Sequence, residues 1–210
     1  MWDLITNIIV NNNVNVVYDI GAFKGEFTKK IYEIKPTANI YAFEANRMRS
    51  RPGWSKKIDT IQWFNKVLSN TIEERKFYSL GTTGDSLYKE VYNNKHKEKN
   101  VKIVTTDTLE NIIKEHNLQL PEFIKIDVQG SELDVLSKTD LSKCVAIHCE
   151  IPMEGIVYNQ DAPIRQEYFS FFDKKGFKYN KFIKNLRIGK AEKRTVVQQD
   201  YIFSKVKLDD

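Results

Sequence analysis

Four acidic residues close short apolar runs in this chain. Asp19 follows Val16-Val17-Tyr18, Glu44 follows Ile40-Tyr41-Ala42-Phe43, Asp127 follows Phe123-Ile124-Lys125-Ile126, and Glu150 follows Val145-Ala146-Ile147-His148-Cys149. One acid in such a place is ordinary, because Asp often caps the helix that follows. Four on one rim are a candidate site, since carboxylates accept hydrogen bonds from a ligand and can remove its proton. Gly21 and Gly25 complete the pattern D-x-G-x-x-x-G after Asp19. Glycines let the backbone approach a ligand with no Cβ in the way, and a helix N-terminus after such a loop offers free amides. Glu44 lies roughly twenty residues beyond the turn, where an acid can accept from ribose hydroxyls; its alternative role is an N-cap. Asp19 either fixes the loop or meets a ligand ammonium.

Lys125 and His148 are the other chemical residues. Lys125 stands inside a run that reads as a central strand, where an unpaired charge is costly. It must therefore reach a carboxylate such as Asp19, Asp127 or Glu150, as a structural ion pair or in catalysis. His148 shares a strand face with Glu150 by the two-residue period; it is either a satisfied core histidine or a general base. Asp85, Asp107 and Asp161 read as turn or cap residues. No H-E-x-x-H, paired C-x-x-C or G-x-x-x-x-G-K-[ST] occurs, which counts against zinc hydrolases and P-loop enzymes.

These residues need elements to position them. Trp2, Ile5, Ile8 and Ile9 have helical spacing, and residues 1–13 read as an N-terminal helical cap on one domain spanning 14–210. Strands are expected at about 15–20, 38–44, 61–68, 75–80, 101–106, 123–128 and 145–151. Helices should follow the glycine loop, span 47–57 with a break near Pro52-Gly53, and cover 109–116, 131–136 and 163–175. Two last strands, 177–183 and 201–206, leave little room for a helix between them and imply an antiparallel edge hairpin. The polar stretch 81–100 reads as a surface loop that either folds over a site or stays solvated. Strands alternating with helices imply a three-layer α/β sandwich with a mostly parallel sheet.

Composition agrees with this. The 210 residues suit one domain, and 41% hydrophobic with 29% charged residues is globular usage. No apolar run approaches the ~20 residues that span a bilayer. Met1-Trp2-Asp3-Leu4 does not read as a secretory leader. Cys144 and Cys149 read as buried thiols of a reducing, cytoplasmic compartment. The net charge of +5 is too mild to argue for nucleic acid.

Two segments carry a family resemblance. D-I-G-A-F-K-G-E-F (19–27) with F-E-A-N (43–46), and F-I-K-I-D-V-Q-G-S-E-L-D-V-L (123–136) preceded by T-T-D-T-L, resemble the FkbM-type methyltransferases, over roughly 14–206. The resemblance implies the class I Rossmann-like fold and S-adenosylmethionine as cofactor. It implies that Asp19, Gly21 and Gly25 line the methionine end, Glu44 holds the ribose, Val67 lies against adenine and Asp127 sits beside the transferred methyl. The implied activity is methylation of a hydroxyl on a sugar, glycan or other small molecule. Asp127 or Glu150 would serve as general base, with His148 behind them; a divalent metal shared by the two acids is the weaker reading. The family often has Asn where Phe23 stands and Pro where Ala45 stands. Three other readings compete: an NAD-dependent oxidoreductase, which lacks its G-x-G-x-x-G here; a nucleic-acid base methylase, whose Pro-Pro-aromatic signature is replaced by Val128-Gln129-Gly130; and an inert binding domain of the same fold.

Overall fold

The computed structural model describes residues 1–79, 84–91, 101–188 and 195–208. Seven strands form the main sheet. β1 (Val16–Ile20), β2 (Asn39–Phe43), β3 (Ile61–Phe64), β7 (Phe123–Ile126) and β8 (Ala146–Pro152) are parallel. β10 (Thr195–Ser204) runs antiparallel beside β8 and pairs with the edge strand β9 (Tyr179–Ile188), so the order is β3-β2-β1-β7-β8-β10-β9. The chain reverses its direction of winding between β1 and β7, and ligands of doubly wound sheets bind beyond the carboxyl ends of the strands at that point. A smaller sheet of β4 (Val67–Ser69), β6 (Val101–Thr108) and β5 (Glu74–Tyr78) stands beside it.

Alternation along the strands creates two cores. Val16, Tyr18 and Ile20 of β1, with Ile124 and Ile126 of β7, pack against α3 (Leu109–Glu115), α4 (Glu132–Ser137) and α5 (Arg165–Lys174). Val17 and Phe123 face the other way, against α1 (Trp2–Asn11) and α2 (Glu26–Ile34). Ile5, Ile8 and Ile9 are the buried stripe of α1, as their spacing predicts. Asp19, Lys125 and His148 share the parity of Val17 and so lie on the α1–α2 side. None of the described helices is long and apolar enough to cross a membrane.

Three expectations need correction. Residues 61–68 are not one strand. Asn65 Nδ2 donates to the carbonyls of Glu44 (3.2 Å) and Arg49 (3.1 Å), which turns the chain out of the main sheet, and β4 then pairs with β6. Residues 47–57 form no α-helix, only a 3-10 turn at Gly53–Ser55. Pro52 disfavours helical backbone at Arg51, and the Arg51 guanidinium donates to the carbonyls of Ser55 (2.6 Å) and Ile58 (2.9 Å) instead. The edge hairpin is present, but its strands are longer than their apolar runs because β9 is an edge strand rich in lysine and asparagine, as edges tend to be. The two cysteines are buried and unpaired. Of the polar loop, only 84–91 falls within the described residues.

Candidate functional site

At the end of β1 the chain turns sharply under tight packing. Gly21 has φ +78°, and a Cβ there would lie 2.0 Å from the carbonyl oxygen of Asp127. The loops after β1 and β7 therefore touch backbone to backbone. The amides of Gly21 and Ala22 both donate to Phe43 O at 2.9 Å, which binds the loop to the end of β2. Asp19 lies beneath, fully buried, and its Oδ2 accepts from the amide (3.1 Å) and hydroxyl (2.6 Å) of Thr28 in the first turns of α2. Its other oxygen is 3.5 Å from Lys125 Nζ. Lys125 also donates to Gly21 O at 2.7 Å and Ile20 O at 3.4 Å. Burial disfavours the ammonium, but Asp19 and then Asp127 outweigh it and raise the Lys125 pKa. The expected ion pair is therefore present, and it braces the glycine loop.

Glu44 continues the rim beyond β2. Its Oε2 accepts from the amide of Phe23 (2.7 Å) and its Oε1 from that of Asn46 (2.9 Å), while Arg49 lies 3.5 Å away. Burial pushes its pKa up against these three stabilising contacts. Arg49 also approaches Asp85 at 3.6 Å and lies over the Phe23 ring, 4.1 Å from its centroid. Phe23 has φ +52°, in the left-handed region where Asn is enriched and a bulky residue is uncommon.

Gly21, Phe23, Glu44, Val67, Lys125 and Asp127 line one cleft of about 230 Å³. Phe43, Leu68, Phe77 and Leu87 give it an apolar wall. Ser131 Oγ, buried and without a hydrogen-bond partner among the described residues, also faces it. Such a cleft has an apolar slot, a carboxylate for a diol and main-chain polar groups at the opposite end, so its donor and acceptor set fits a nucleoside-bearing ligand.

Beyond β7 the block K-I-D-V-Q-G-S-E has a structural explanation. The buried Glu132 carboxylate accepts from the amides of Val128 (3.0 Å) and Gly130 (3.0 Å) and from Tyr168 Oη (2.7 Å). Burial raises its pKa in spite of these bonds. The loop so held presents Gln129, whose Nε2 donates to Asp127 Oδ1 (2.8 Å) and Glu150 Oε2 (3.0 Å). Burial first, then the charges of Asp127, Asp200 and Glu132, push the Glu150 pKa well above the usual carboxylate range. His148 packs near Phe27, with ring centroids 6.1 Å apart, and its Nε2 is 3.6 Å from Asp200 Oδ1. Glu150 and His148 do not line the first cleft. They line a second one, which Lys125 and Asp127 share.

The sequence model for a methyltransferase FkbM domain matches residues 19–179. The chain belongs to the FkbM methyltransferase family. A comparison with curated proteins finds no match. Among solved structures, precorrin-6y C5,15-methyltransferase from Geobacter metallireducens aligns with 12% identity and TM-score 0.51, over 97% of this chain and 88% of that one. A putative RNA methyltransferase from Pyrococcus horikoshii also gives 12% and 0.51, over 97% and 81%. The N-terminal domain of EvdMO1, with SAH bound, gives 8% and 0.51, over 97% and 79%. At these identities the likeness speaks for the fold, which is the Rossmann-like fold of class I methyltransferases.

Two residues that the resemblance sets at the methionine end, Asp19 and Gly25, are not among those lining the cleft. Asp19 does not line the cleft; total burial and the Thr28 bonds leave it the task of joining β1 to α2. Gly25 also lies behind the loop, where a Cβ would stand 3.0 Å from Pro52 Cγ. Three contributors escaped the sequence reading. Arg49 carried no signal, because its partners are distant in sequence. Asp85 was legible only as a turn residue, and Gln129 only as a letter in the family block. Among the described residues, no group of three or more His, Cys, Asp or Glu side chains is placed to hold a metal ion.

Proposed function

We propose that this FkbM methyltransferase transfers the methyl group of S-adenosylmethionine to a hydroxyl oxygen of a sugar, glycan or other small molecule. The observation that carries the reading is the Glu44 carboxylate, buried at the end of β2, bonded to the Phe23 amide of the glycine loop and lining a cleft with an apolar wall. When bound, S-adenosylmethionine supplies a methyl group activated by its sulfonium. Glu44 accepts the ribose hydroxyls, and Val67 with its apolar neighbours covers adenine. The Gly21 carbonyl oxygen and the unpartnered Ser131 Oγ serve the amino-acid end. The rest is orientation: holding an acceptor oxygen in line removes an entropic barrier.

An acceptor alcohol must lose its proton as its oxygen bonds to carbon. Asp127 is the base in this reading, since its side chain is 41% exposed at the junction of the two clefts. Glu150 suits the role less, because its raised pKa keeps it protonated more readily. Gln129 Nε2 lies between the two acids and donates to both, taking the place that a shared divalent ion would need. The unpaired thiols suit a cytoplasmic location, and Val128-Gln129-Gly130 after Asp127 does not suit a nucleic-acid acceptor.

Calorimetric titration of S-adenosylmethionine into the wild type and Glu44→Ala, with NADH as control, tests the reading. The expected result is micromolar binding to the wild type, weakened about 10- to 100-fold in the variant by loss of charge-assisted bonds. A folded wild type that does not bind S-adenosylmethionine would overturn the proposal. It would leave the oxidoreductase if NADH bound, and the inert domain if neither did.

A further inference from the structure

The chain's excess of positive charge is gathered at one edge of the sheet. Residues 173–194, which run from the end of α5 through β9, hold nine Lys or Arg and two acids, Asp173 and Glu192. Their net +7 exceeds the +5 of the whole chain, so the remaining residues sum to −2. Lys174, Lys175, Lys178, Lys184 and Arg187 are exposed, and Lys181 is half-buried. Tyr179 (43%), Phe182 (46%) and Leu186 (37%) are exposed among them. β9 ends the sheet and pairs with β10 alone, so no strand lies beside its outer backbone groups among the described residues. Lysines by themselves are an ordinary guard against pairing at such an edge. Large apolar side chains on the same strand work against that guard, so the combination calls for a partner. Both faces of the edge take part. Phe182 pairs with Tyr201 on the α5 side, ring centroids 5.8 Å apart, whereas Lys184 pairs with Asp200 on the α1–α2 side, Nζ to Oδ2 3.0 Å. Asp200 is opposite Lys184 on one side and Glu150 on the other, so the Lys184–Arg187 end of β9 stands level with the rim where the clefts open.

We propose that this edge docks the protein onto an anionic lipid surface, with its lysines among the headgroups and Tyr179, Phe182 and Leu186 at the boundary with the acyl chains. A plane meets an edge from beyond it and touches side chains of both faces at once. Its charge attracts the +7 edge and not the rest of the molecule, which sets orientation as well as affinity. Seven of the nine basic residues are Lys. The compact ammonium suits diffuse attraction to many headgroups, whereas nucleic-acid recognition draws more on the planar fork of Arg. Aromatic rings and leucine enter the interface beside such charges. The outer backbone groups of β9 stay at headgroup level, where water satisfies them. A second copy is a poor occupant, because two edges of this charge repel. Docking of this kind lays the rim of the clefts alongside the membrane surface, whichever acceptor the enzyme uses.

The test is co-sedimentation of the full chain with sucrose-loaded vesicles of phosphatidylcholine, alone or with about a third phosphatidylglycerol. The mixed vesicles are expected to bind the protein at least about tenfold more tightly than the neutral ones, and less so as salt is raised. A variant carrying Lys174→Gln, Lys178→Gln and Arg187→Gln loses three exposed charges. It should bind about 100-fold more weakly, at about fivefold per basic residue near an anionic surface. Surface substitutions of this kind should move its melting point by no more than about 2 °C. Phe182→Ser should weaken binding about fivefold through lost apolar contact, with little change in the salt dependence. No binding to the mixed vesicles overturns the proposal, and so does equal binding to both vesicle types. Binding unchanged in both variants overturns the assignment to this edge. An oligodeoxythymidylate bound more tightly than the mixed vesicles overturns the lipid assignment in favour of a nucleic acid.

Discussion

Gly21→Ala is the most informative single substitution. The new Cβ would meet the Asp127 carbonyl oxygen at 2.0 Å and its carbon at 2.9 Å. Real Cβ contacts essentially never fall below 3.0 Å, so the β7 loop must retreat by about 1 Å. The left-handed backbone, φ +78°, adds about 1–2 kcal/mol for a residue with a Cβ. Forcing the loops apart adds about 1–3 kcal/mol, typical of overpacking. The sum, about 2–5 kcal/mol, corresponds to a melting point lower by ~4–20 °C in a domain of this size. Gly176→Ala is the control: φ is +86° there, but nothing lies within 4 Å of the new Cβ, so only the backbone cost of ~2–8 °C applies. Differential scanning calorimetry of both variants separates strain from clash, and titration with S-adenosylhomocysteine reads the function. Displacement of Asp127 by about 1 Å should also lower the turnover of any acceptor by ~100-fold. A Gly21→Ala protein that melts no lower than Gly176→Ala would refute the backbone contact and, with it, the role given to this glycine.

Two further outcomes follow from buried groups. The Glu150 pKa is raised on folding, so its contribution to stability is complete below the unfolded value and is lost as pH rises through the folded one; Glu150→Gln should therefore melt above the wild type by a margin that widens from pH 5 to pH 8, and a margin independent of pH in thermal scans would contradict the assignment. Burial pushes the Cys144 thiol up to about 12 and Cys149 well above its ordinary value, so neither should react with iodoacetamide in the native protein, and both should react once it is unfolded, as mass spectrometry would show.

Local signals carried much of the fold. The β-branched runs at 16–20 and 123–126, the alternation in 145–151 and the stripe Ile5-Ile8-Ile9 each mark an element within their own residues. They misled where a side chain within the segment bonded to main-chain carbonyls instead of leaving them to the expected element. Residues 61–68 read as one strand, and only the bonds from Asn65 to carbonyls at Glu44 and Arg49 explain why it breaks. Residues 47–57 show the same in reverse, because Arg51 satisfies carbonyls that a helix would otherwise have paired.

By itself the sequence determined the fold class, the order of its elements and the carboxylates at the strand ends, because strand period and glycine chemistry are local properties. It also determined that Lys125 needs an anionic partner, since a charge in a central strand admits no other solution. Tertiary structure alone decided which partner, and it chose Asp19, removing that acid from the cleft. It alone sorted the candidates into two clefts, with Glu44 and Val67 in one, His148 and Glu150 in the other, and Asp127 between. It alone brought Arg49 to Phe23 and Trp2 to Phe27. The physical reason is common to all of these. A two-residue period says which face of a strand a side chain occupies, whereas which helix covers that face, and how fully, depends on packing between segments far apart in the chain.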